Sequence, residues 1–271
     1  MPAFYAHHLF GRSVLEELPA PLKKSFLPYL TEFSLGCQGP DILFYHKPFS
    51  ANEIKKKGME MHLSSAYGFF GRSAKKIAGQ SAENVIATPL AAYIAGFICH
   101  FSLDNACHGH IYKLEATGVS HGRIESEFDK HLKRAQGEKV HKNAAKYLND
   151  KRNTSLAVHT ALDVPQKNIK HAMKTMKRVN GLFSSNSKLF HKFAKFFLRK
   201  VKAEKFFEMF LHFDDEPSCT ALNATLEEKL LEAVPQTANR ITRYFENLET
   251  AAQTGETDKE FDRDYTGDKI Q

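Results

Sequence analysis

The chain has 271 residues, a formal net charge of +7 and four cysteines, which is the composition of a globular protein of one large or two smaller domains. No apolar run reaches the roughly 18 to 20 residues of a membrane span, and the start of the chain lacks the basic and apolar regions of a signal peptide. The cysteines show no Cys-x-x-Cys spacing and no disulfide-like density. We therefore expect a cytoplasmic protein with reduced thiols.

Helical patterns run through almost the whole chain. A first helix is expected over residues 14–18 and a second over residues 22–34, kinked or restarted at Pro28. Residues 36–50 contain two glycines and two prolines and predict an ordered loop. Alternating runs of β-branched residues are missing, so the sequence predicts an all-α, multi-helix fold.

Three further helices are expected downstream of this loop. The first covers residues 58–78 and has His62 in its first turns. The second, over residues 89–110, is apolar for most of its length and suits a buried position. The third covers residues 120–136, with Ser120 as its N-cap.

A row of imidazole and carboxylate groups follows the apolar stretch. His100, Asp104 and His108 are spaced four residues apart and would share one helix face. His121 and Glu125 repeat this spacing on the next helix. One such pair alone would suit a hydrogen-bonded core pair, but two pairs with a third histidine in register favour a catalytic metal site. Buried ionisable groups need partners, which a shared metal ion would supply.

More donors lie nearer the N-terminus. His7 and His8 are adjacent, Asp41 follows a Gly-Pro turn, and His62 stands in Met-Glu-Met-His. With the downstream donors they are numerous enough to bind two or three metal ions, and Asp104 could bridge two of them.

Three motifs resemble the zinc-dependent phospholipase C family, whose fold is shared with the zinc-dependent single-strand nucleases. They read Gly-Pro-Asp-Ile-Leu-Phe-Tyr at residues 39–45, Cys-His-Phe-Ser-Leu-Asp at 99–104, and Ser-His-Gly-Arg-Ile-Glu-Ser-Glu-Phe-Asp at 120–129. The closest similarity is to the bacterial intracellular branch. The resemblance covers about the first half of the chain, to residue 132.

The resemblance implies three metal positions. The first would use Asp41, His62, His100 and Asp104, the second His7 with Asp104, and the third His121 and Glu125 with either His108 or His110. His7 is preferred over His8 because it matches the Ala-His of the bacterial branch. The helical row favours His108, whereas the spacing of the secreted members favours His110. Secreted members also use their N-terminal amine as a ligand, and whether this chain does so stays open.

The same resemblance implies a function. It is zinc-dependent hydrolysis of a phospholipid or another phosphodiester, with two to three Zn²⁺ ions activating water. Asp41 is the predicted catalytic residue, both a ligand and the group that orients or deprotonates the water. Near Glu125, Asp129 is a candidate to orient a ligand, whereas Glu127 is expected to be a surface charge. The alternatives are a nuclease-like phosphodiesterase of the same fold and a non-catalytic, metal-stabilised protein that binds membrane surfaces.

The second half of the chain is basic and rich in phenylalanine. Residues 166–213 contain twelve Lys or Arg but only Glu204 and Glu208 as acids. The simplest interpretation is an amphipathic helix with its Phe face in the core and its Lys face in solvent. A second interpretation is peripheral contact with an anionic membrane. Nucleic acid is the less favoured partner.

These patterns also predict the domain organisation. We expect one all-α domain over residues 1–250, made of a metal-site half at 1–135 and a basic, Phe-rich half at 136–250. Residues 251–271 are expected to form a polar tail, frayed from residue 254 onward.

Overall fold

The computed structural model describes residues 4–147 and 154–267 and has no β-strand within them, which confirms the all-α prediction. In chain order the helices are α1 Phe4–Glu17, α2 Ala20–Phe26, α3 Leu30–Gly36, α4 Glu53–His62, α5 Tyr67–Ala78, α6 Pro89–Glu115, α7 His121–Ala135, α8 Thr154–Leu162, α9 Gln166–Phe183, α10 Lys188–Lys200, α11 Thr220–Glu246 and α12 Leu248–Thr254. Two 3₁₀ segments lie between these helices, the 39–45 turn (Gly39–Tyr45) and the 204–209 turn (Glu204–Met209).

Helix α6 is the centre of the core. Its first half is buried on all sides, and α3, α11 and α1 pack around it. The Thr88 hydroxyl caps its start by accepting a hydrogen bond from the N–H of Ala91 at 3.3 Å. A Cβ atom on Gly96 would lie 2.0 Å from the carbonyl oxygen of Phe33, so glycine lets α3 and α6 touch backbone to backbone. By length and composition α6 could cross a membrane, but 89% of its apolar window is buried inside the protein, as in a core helix.

The C-terminal end of α6 differs from the prediction in a way that affects the site. The helix was expected to end at residue 110 but continues through Gly109 to Glu115. Residues 100 to 108 therefore stay in regular helical register, which keeps His100, Asp104 and His108 on one face.

The predicted helix over residues 58–78 is wrong. The structure has α4 ending at His62 and α5 beginning at Tyr67, so His62 lies in a last turn rather than a first. Contacts with the distant C-terminal region accompany the break. Ala66 N–H donates to Arg263 O at 3.0 Å and the Ser65 hydroxyl to Asp262 Oδ1 at 2.9 Å.

At the N-terminal end the prediction is closer. Helix α1 starts earlier than expected. The restart at Pro28 is confirmed, because a short 3₁₀ segment over Leu27–Tyr29 separates α2 from α3.

The expected frayed tail is also wrong for the residues that the structure describes. Helix α12 packs against α5, and beyond it Phe261 and Tyr265 are fully buried. These two aromatic rings anchor a segment whose composition is otherwise polar. Residues 268–271 lie outside the described residues, and the single-domain organisation stays a prediction.

Candidate metal centre

The carboxylate of Asp104 lies among three imidazole rings. Its Oδ2 is 3.2 Å from Nε2 of His100, one turn earlier on α6, and its Oδ1 is 3.7 Å from Nδ1 of His108, one turn later. Helix α1 contributes His7, whose Nε2 is 3.2 Å from Oδ1. The rings of His7 and His100 stack at 4.4 Å. All four side chains are buried.

A second group forms where the 39–45 turn meets α4. Asp41 Oδ1 lies 3.0 Å from Nε2 of His62. Gly39 has φ +49°, and a Cβ there would lie 2.2 Å from Cδ2 of His100, so glycine is required for this approach. Asp41, His62 and His100 thus offer ligand atoms within 4.8 Å of one another.

A third group joins α6 to α7. Ser120 caps α7, as predicted, with its hydroxyl accepting from the N–H of Arg123 at 3.3 Å. The first turn of α7 then places His121 Nε2 3.2 Å from Glu125 Oε1. The His108 ring stacks against His121 with 5.6 Å between centroids. Ligand atoms of these three residues also lie within 4.8 Å of one another.

The structure separates the two histidine alternatives by position. His7 and His108 fall in the groups above, whereas His8 and His110 belong to no such group among the described residues. His8 lines a surface cavity with Arg12 and Glu138 instead. Burial and the nearby Arg12 lower the pKa of His8 to about 4.

Three of these histidines have their Nδ1 atom held by an acceptor. The acceptor is Gly58 O at 2.7 Å for His62, Asp104 O at 3.1 Å for His108, and Glu115 Oε2 at 3.0 Å for His121. These contacts place a proton on Nδ1, so Nε2 is the ring nitrogen that could bind a metal ion. Histidines that bind metals characteristically have this arrangement.

Several buried nitrogen and oxygen atoms that could bind a metal ion at the centre lack hydrogen bonds within the described part of the chain. They are both ring nitrogens of His100, Nδ1 of His7 and Oδ1 of Asp41. The close pairs His62–Asp41 and His100–Asp104 are near enough in distance but are not aligned as hydrogen bonds. Buried polar atoms without partners are costly. A metal ion would supply a partner for Asp41 Oδ1 and for one ring nitrogen of His100. The residues present therefore fit zinc, whose ligands are imidazole and carboxylate.

The electrostatics keep the carboxylates ionised. Burial alone would raise the pKa of Asp104. The nearby His100 and His108 lower it by more than burial raises it, so the pKa lies well below the usual range. Burial likewise opposes ionisation of Glu125, but His121 helps to lower its pKa to about 2. Burial lowers the pKa of His121, whereas Glu125 raises it, and the net result is about 9. Ionised carboxylates are the form that binds metal, and binding at His121 would release a proton.

Asp129 supports the centre through the backbone. It is one turn beyond Glu125 on α7 and accepts hydrogen bonds from the N–H groups of Tyr5 and Ala6, at 3.0 and 2.9 Å. N–H groups in the first turn of a helix lack partners within it. Asp129 therefore ties the start of α1, and with it His7, to the helix that carries His121.

The prediction that Glu127 is a surface charge is wrong. Glu127 is buried, and its Oε1 lies 3.0 Å from both Arg123 Nη2 and Lys130 Nζ. Lys130 also pairs with Asp215 at 2.7 Å, so this network fastens α7 to the segment before α11. Glu127 therefore orients no proposed ligand directly.

Two residues near the centre were missed from the sequence. Glu115 Oε2 lies 3.0 Å from Nδ1 of His121 across the α6–α7 connection. Tyr265 packs against His62 and His100. The Tyr265 N–H donates to His62 O at 3.2 Å, and its ring lies 5.2 Å from that of His62 and 5.8 Å from that of His100. For Tyr265, the sequence signal was the presence of aromatic residues within an otherwise polar tail.

The fold and site together define an all-helical protein whose imidazole and carboxylate groups, the ligand types of metal centres, converge on one buried core helix. The family described as zinc dependent phospholipase C matches residues 6–172, more than half of the chain, and the chain belongs to that family. This match confirms the resemblance and includes all eight proposed ligands. No curated protein and no solved structure gives a significant match.

Proposed function

We propose that this chain is a zinc-dependent phosphodiester hydrolase of the phospholipase C type. The observation that carries the proposal is the convergence of three donor groups around Asp104. The proposed ligands are His7, Asp41, His62, His100, Asp104, His108, His121 and Glu125.

The geometry supports two to three zinc ions. Asp104 presents Oδ2 to His100 and Oδ1 to His7, so its two oxygens suit a bridge between neighbouring ions. Asp41 and His62 would complete the position at His100. His108, His121 and Glu125 would hold the remaining ion.

Asp41 is the residue proposed to act on water. Burial raises its pKa, but the charges of His62 and His100 lower it below the usual range, so it is ionised at neutral pH. Its unbonded Oδ1 can accept a hydrogen bond from the attacking water and orient it, or accept its proton. Zinc held at this centre would lower the pKa of water and neutralise charge on the phosphate oxygens. The reaction would break the bond between phosphorus and the glycerol oxygen, giving diacylglycerol and a phosphorylated headgroup.

The test uses zinc-loaded protein and two soluble substrates, a short-chain phosphatidylcholine and a single-stranded oligonucleotide. Release of diacylglycerol from the lipid supports the proposal. Cleavage of the oligonucleotide alone would favour the nuclease-like alternative. Bound zinc with turnover of neither substrate would favour a non-catalytic protein.

A matched pair of variants checks that turnover comes from this site. Asp41→Asn keeps the size of the side chain and should abolish turnover. Glu60→Gln changes an exposed acid on α4 and should leave turnover unchanged. Equal loss in both variants would contradict the role of Asp41.

The cytoplasmic location remains part of the proposal. All four cysteines are free and buried, which agrees with a reducing compartment.

A further inference from the structure

We propose that α10 is a docking surface for an anionic lipid membrane. The α10 surface consists of outward apolar side chains and neighbouring cations, namely Leu189, Phe193, Phe196, Phe197 and Val201 with Lys188, Lys192, Lys195, Arg199, Lys200 and Lys202. This inference goes beyond the proposed function, since lipid docking by α10 requires no metal and no turnover.

The apolar side chains of α10 are exposed to a degree that core packing does not explain. Leu189 is 78% exposed, Phe193 63% and Phe196 62%, and Phe197 and Val201 are at least half exposed. Phe193 and Phe197 stack on each other at the surface, with 6.3 Å between ring centroids. Single exposed apolar residues are ordinary, but a contiguous patch indicates an interaction site.

Helix α10 has a separate face that packs on the protein. His191, Ala194 and Leu198 are its buried residues, and they lie over a small cluster that includes Phe207 and Phe210. At about 100° per residue, the mean direction of this face is about 130° from that of the outward apolar residues. The outward residues therefore remain exposed when the helix is fully docked on its own domain.

The basic side chains give the α10 surface a positive charge that is complementary to an anionic membrane. Residues 188–202 contain six Lys or Arg and no carboxylate. In the described ranges, none of the six forms an ion pair. The nearby acids Asp214 and Asp215 instead pair with Arg123, Lys130 and Arg134. Basic side chains beside exposed aromatic rings suit the headgroup region of an anionic bilayer.

The charge also argues against a second copy of the chain as the occupant. In a two-fold dimer the same patch meets itself, so the six cations of each copy would face one another. Like charges placed together oppose association. An anionic membrane removes that repulsion.

The 204–209 turn connects the α10 surface to the helix that carries His121 and Glu125. The 204–209 turn follows α10 and packs against the start of α7, where Glu208 O accepts from the Ser126 hydroxyl at 3.2 Å. A Cβ on Gly122, next to His121, would lie 3.3 Å from Met209 Cγ. The Phe206 ring also contacts exposed Phe49, with 5.0 Å between centroids, which extends the apolar surface toward the loop after Asp41.

The test is co-sedimentation of the full-length protein with vesicles of phosphatidylcholine alone or with about 30 mol% phosphatidylglycerol. Binding is measured with the wild type and with Asp104→Asn, so that turnover cannot consume the lipid. We expect binding to the anionic vesicles only, and weaker binding as salt rises.

Two double substitutions remove the two parts of the surface. Phe193→Ser with Phe196→Ser should weaken binding by about tenfold or more, because the apolar insertion is lost. Lys192→Glu with Arg199→Glu should weaken it similarly and reduce the salt dependence. The altered side chains are exposed, so circular dichroism should remain unchanged.

Matched controls use equally exposed residues elsewhere. Leu231→Ser on α11 controls for loss of an exposed apolar side chain, and Lys167→Glu with Lys174→Glu on α9 controls for charge reversal. Both controls should bind as the wild type does.

Three outcomes would overturn the inference. They are absence of wild-type binding, equal binding by the α10 variants and the wild type, and conversion of a dimer to a monomer by the α10 variants. Hydrolysis of the soluble short-chain lipid separates this inference from the proposed function. Vesicle binding without hydrolysis would refute only the function, and hydrolysis without vesicle binding would refute only the docking surface.

Discussion

The metal centre and the α10 surface use charged and apolar residues in opposite ways. At the centre, ionised groups are buried and held at defined distances from their neighbours, as with the two oxygens of Asp104. On α10, phenylalanine rings are exposed and the cations have no ion-pair partner within the described ranges. Coordination and hydrogen bonding depend on direction, whereas the hydrophobic effect does not. The centre should therefore be sensitive to the position of each atom, and the α10 surface only to its composition.

Removal of zinc should give the largest difference between the metal centre and the α10 surface. A chelator should abolish hydrolysis and lower the melting temperature, because ligands that bind only the folded state stabilise it by linkage. At zinc 100 times above its dissociation constant the stabilisation is about 2.7 kcal/mol, which corresponds to a shift of roughly 5–10 °C for a chain of this size. Calorimetry measures the shift, and elemental analysis should give two to three ions before chelation. Anionic vesicle binding should persist in the chelated protein, and its loss would break the comparison.

Asp104→Asn tests the dependence on individual atoms. The substitution keeps the shape but replaces one bridging oxygen by a nitrogen donor. It should remove at least one ion and reduce hydrolysis by on the order of 100-fold or more, the upper end of losses seen for groups that only support ligands. Cys107→Ala, also buried on α6, should leave zinc content and turnover close to normal. Similar results for both variants would show that Asp104 is not a ligand.

Two variants, His108→Ala and His110→Ala, test which of these histidines is on the same side of α6 as Asp104. His108 lies about 40° from Asp104, whereas His110 lies about 120° away on the other side, and α6 continues past both. His108→Ala should lose the ion shared with His121 and Glu125 and reduce turnover by about tenfold or more. His110→Ala should retain that ion. The reverse ranking, read from zinc per chain, would contradict the register of α6.

The smallest effect is expected on α10. Phe193→Leu with Phe196→Leu changes the shape of the outward side chains but keeps them large and apolar. Because hydrophobic burial is non-directional, vesicle binding should stay within about twofold of the wild type. Co-sedimentation measures this change, and a loss as large as that of the serine variant would indicate a shape-specific protein partner.

Local spacing in the sequence was sufficient to predict which side chains of α6 and α7 lie close together. His100, Asp104 and His108 are four residues apart on one continuous helix, and His121 and Glu125 repeat the pattern, so helical geometry brings them together. The position of His62 was missed because α4 ends where residues 262–265 contact the chain. Such contacts leave no trace in local sequence.

The basic helices show a second feature that could not be predicted from the sequence. Both α9 and α10 are amphipathic and rich in lysine, and the Phe-in-core prediction applied to both. It suits α9, whose Ile169, Met173 and Met176 are buried, but it is wrong for α10, whose outward residues include Phe193. Periodicity gives the direction of an apolar face but not whether another element covers it.

The contact between Tyr265 and His62 affects the order of events during synthesis. Residue 265 pairs with the backbone of residue 62, yet it joins the chain 203 positions later. At translation rates of roughly 5–20 residues per second, that separation corresponds to roughly 10–40 s. All eight proposed ligands are made before position 126, so a nascent chain presents them to zinc before Tyr265, which packs against His62 and His100, exists. We therefore expect zinc to load faster during synthesis than into the finished protein.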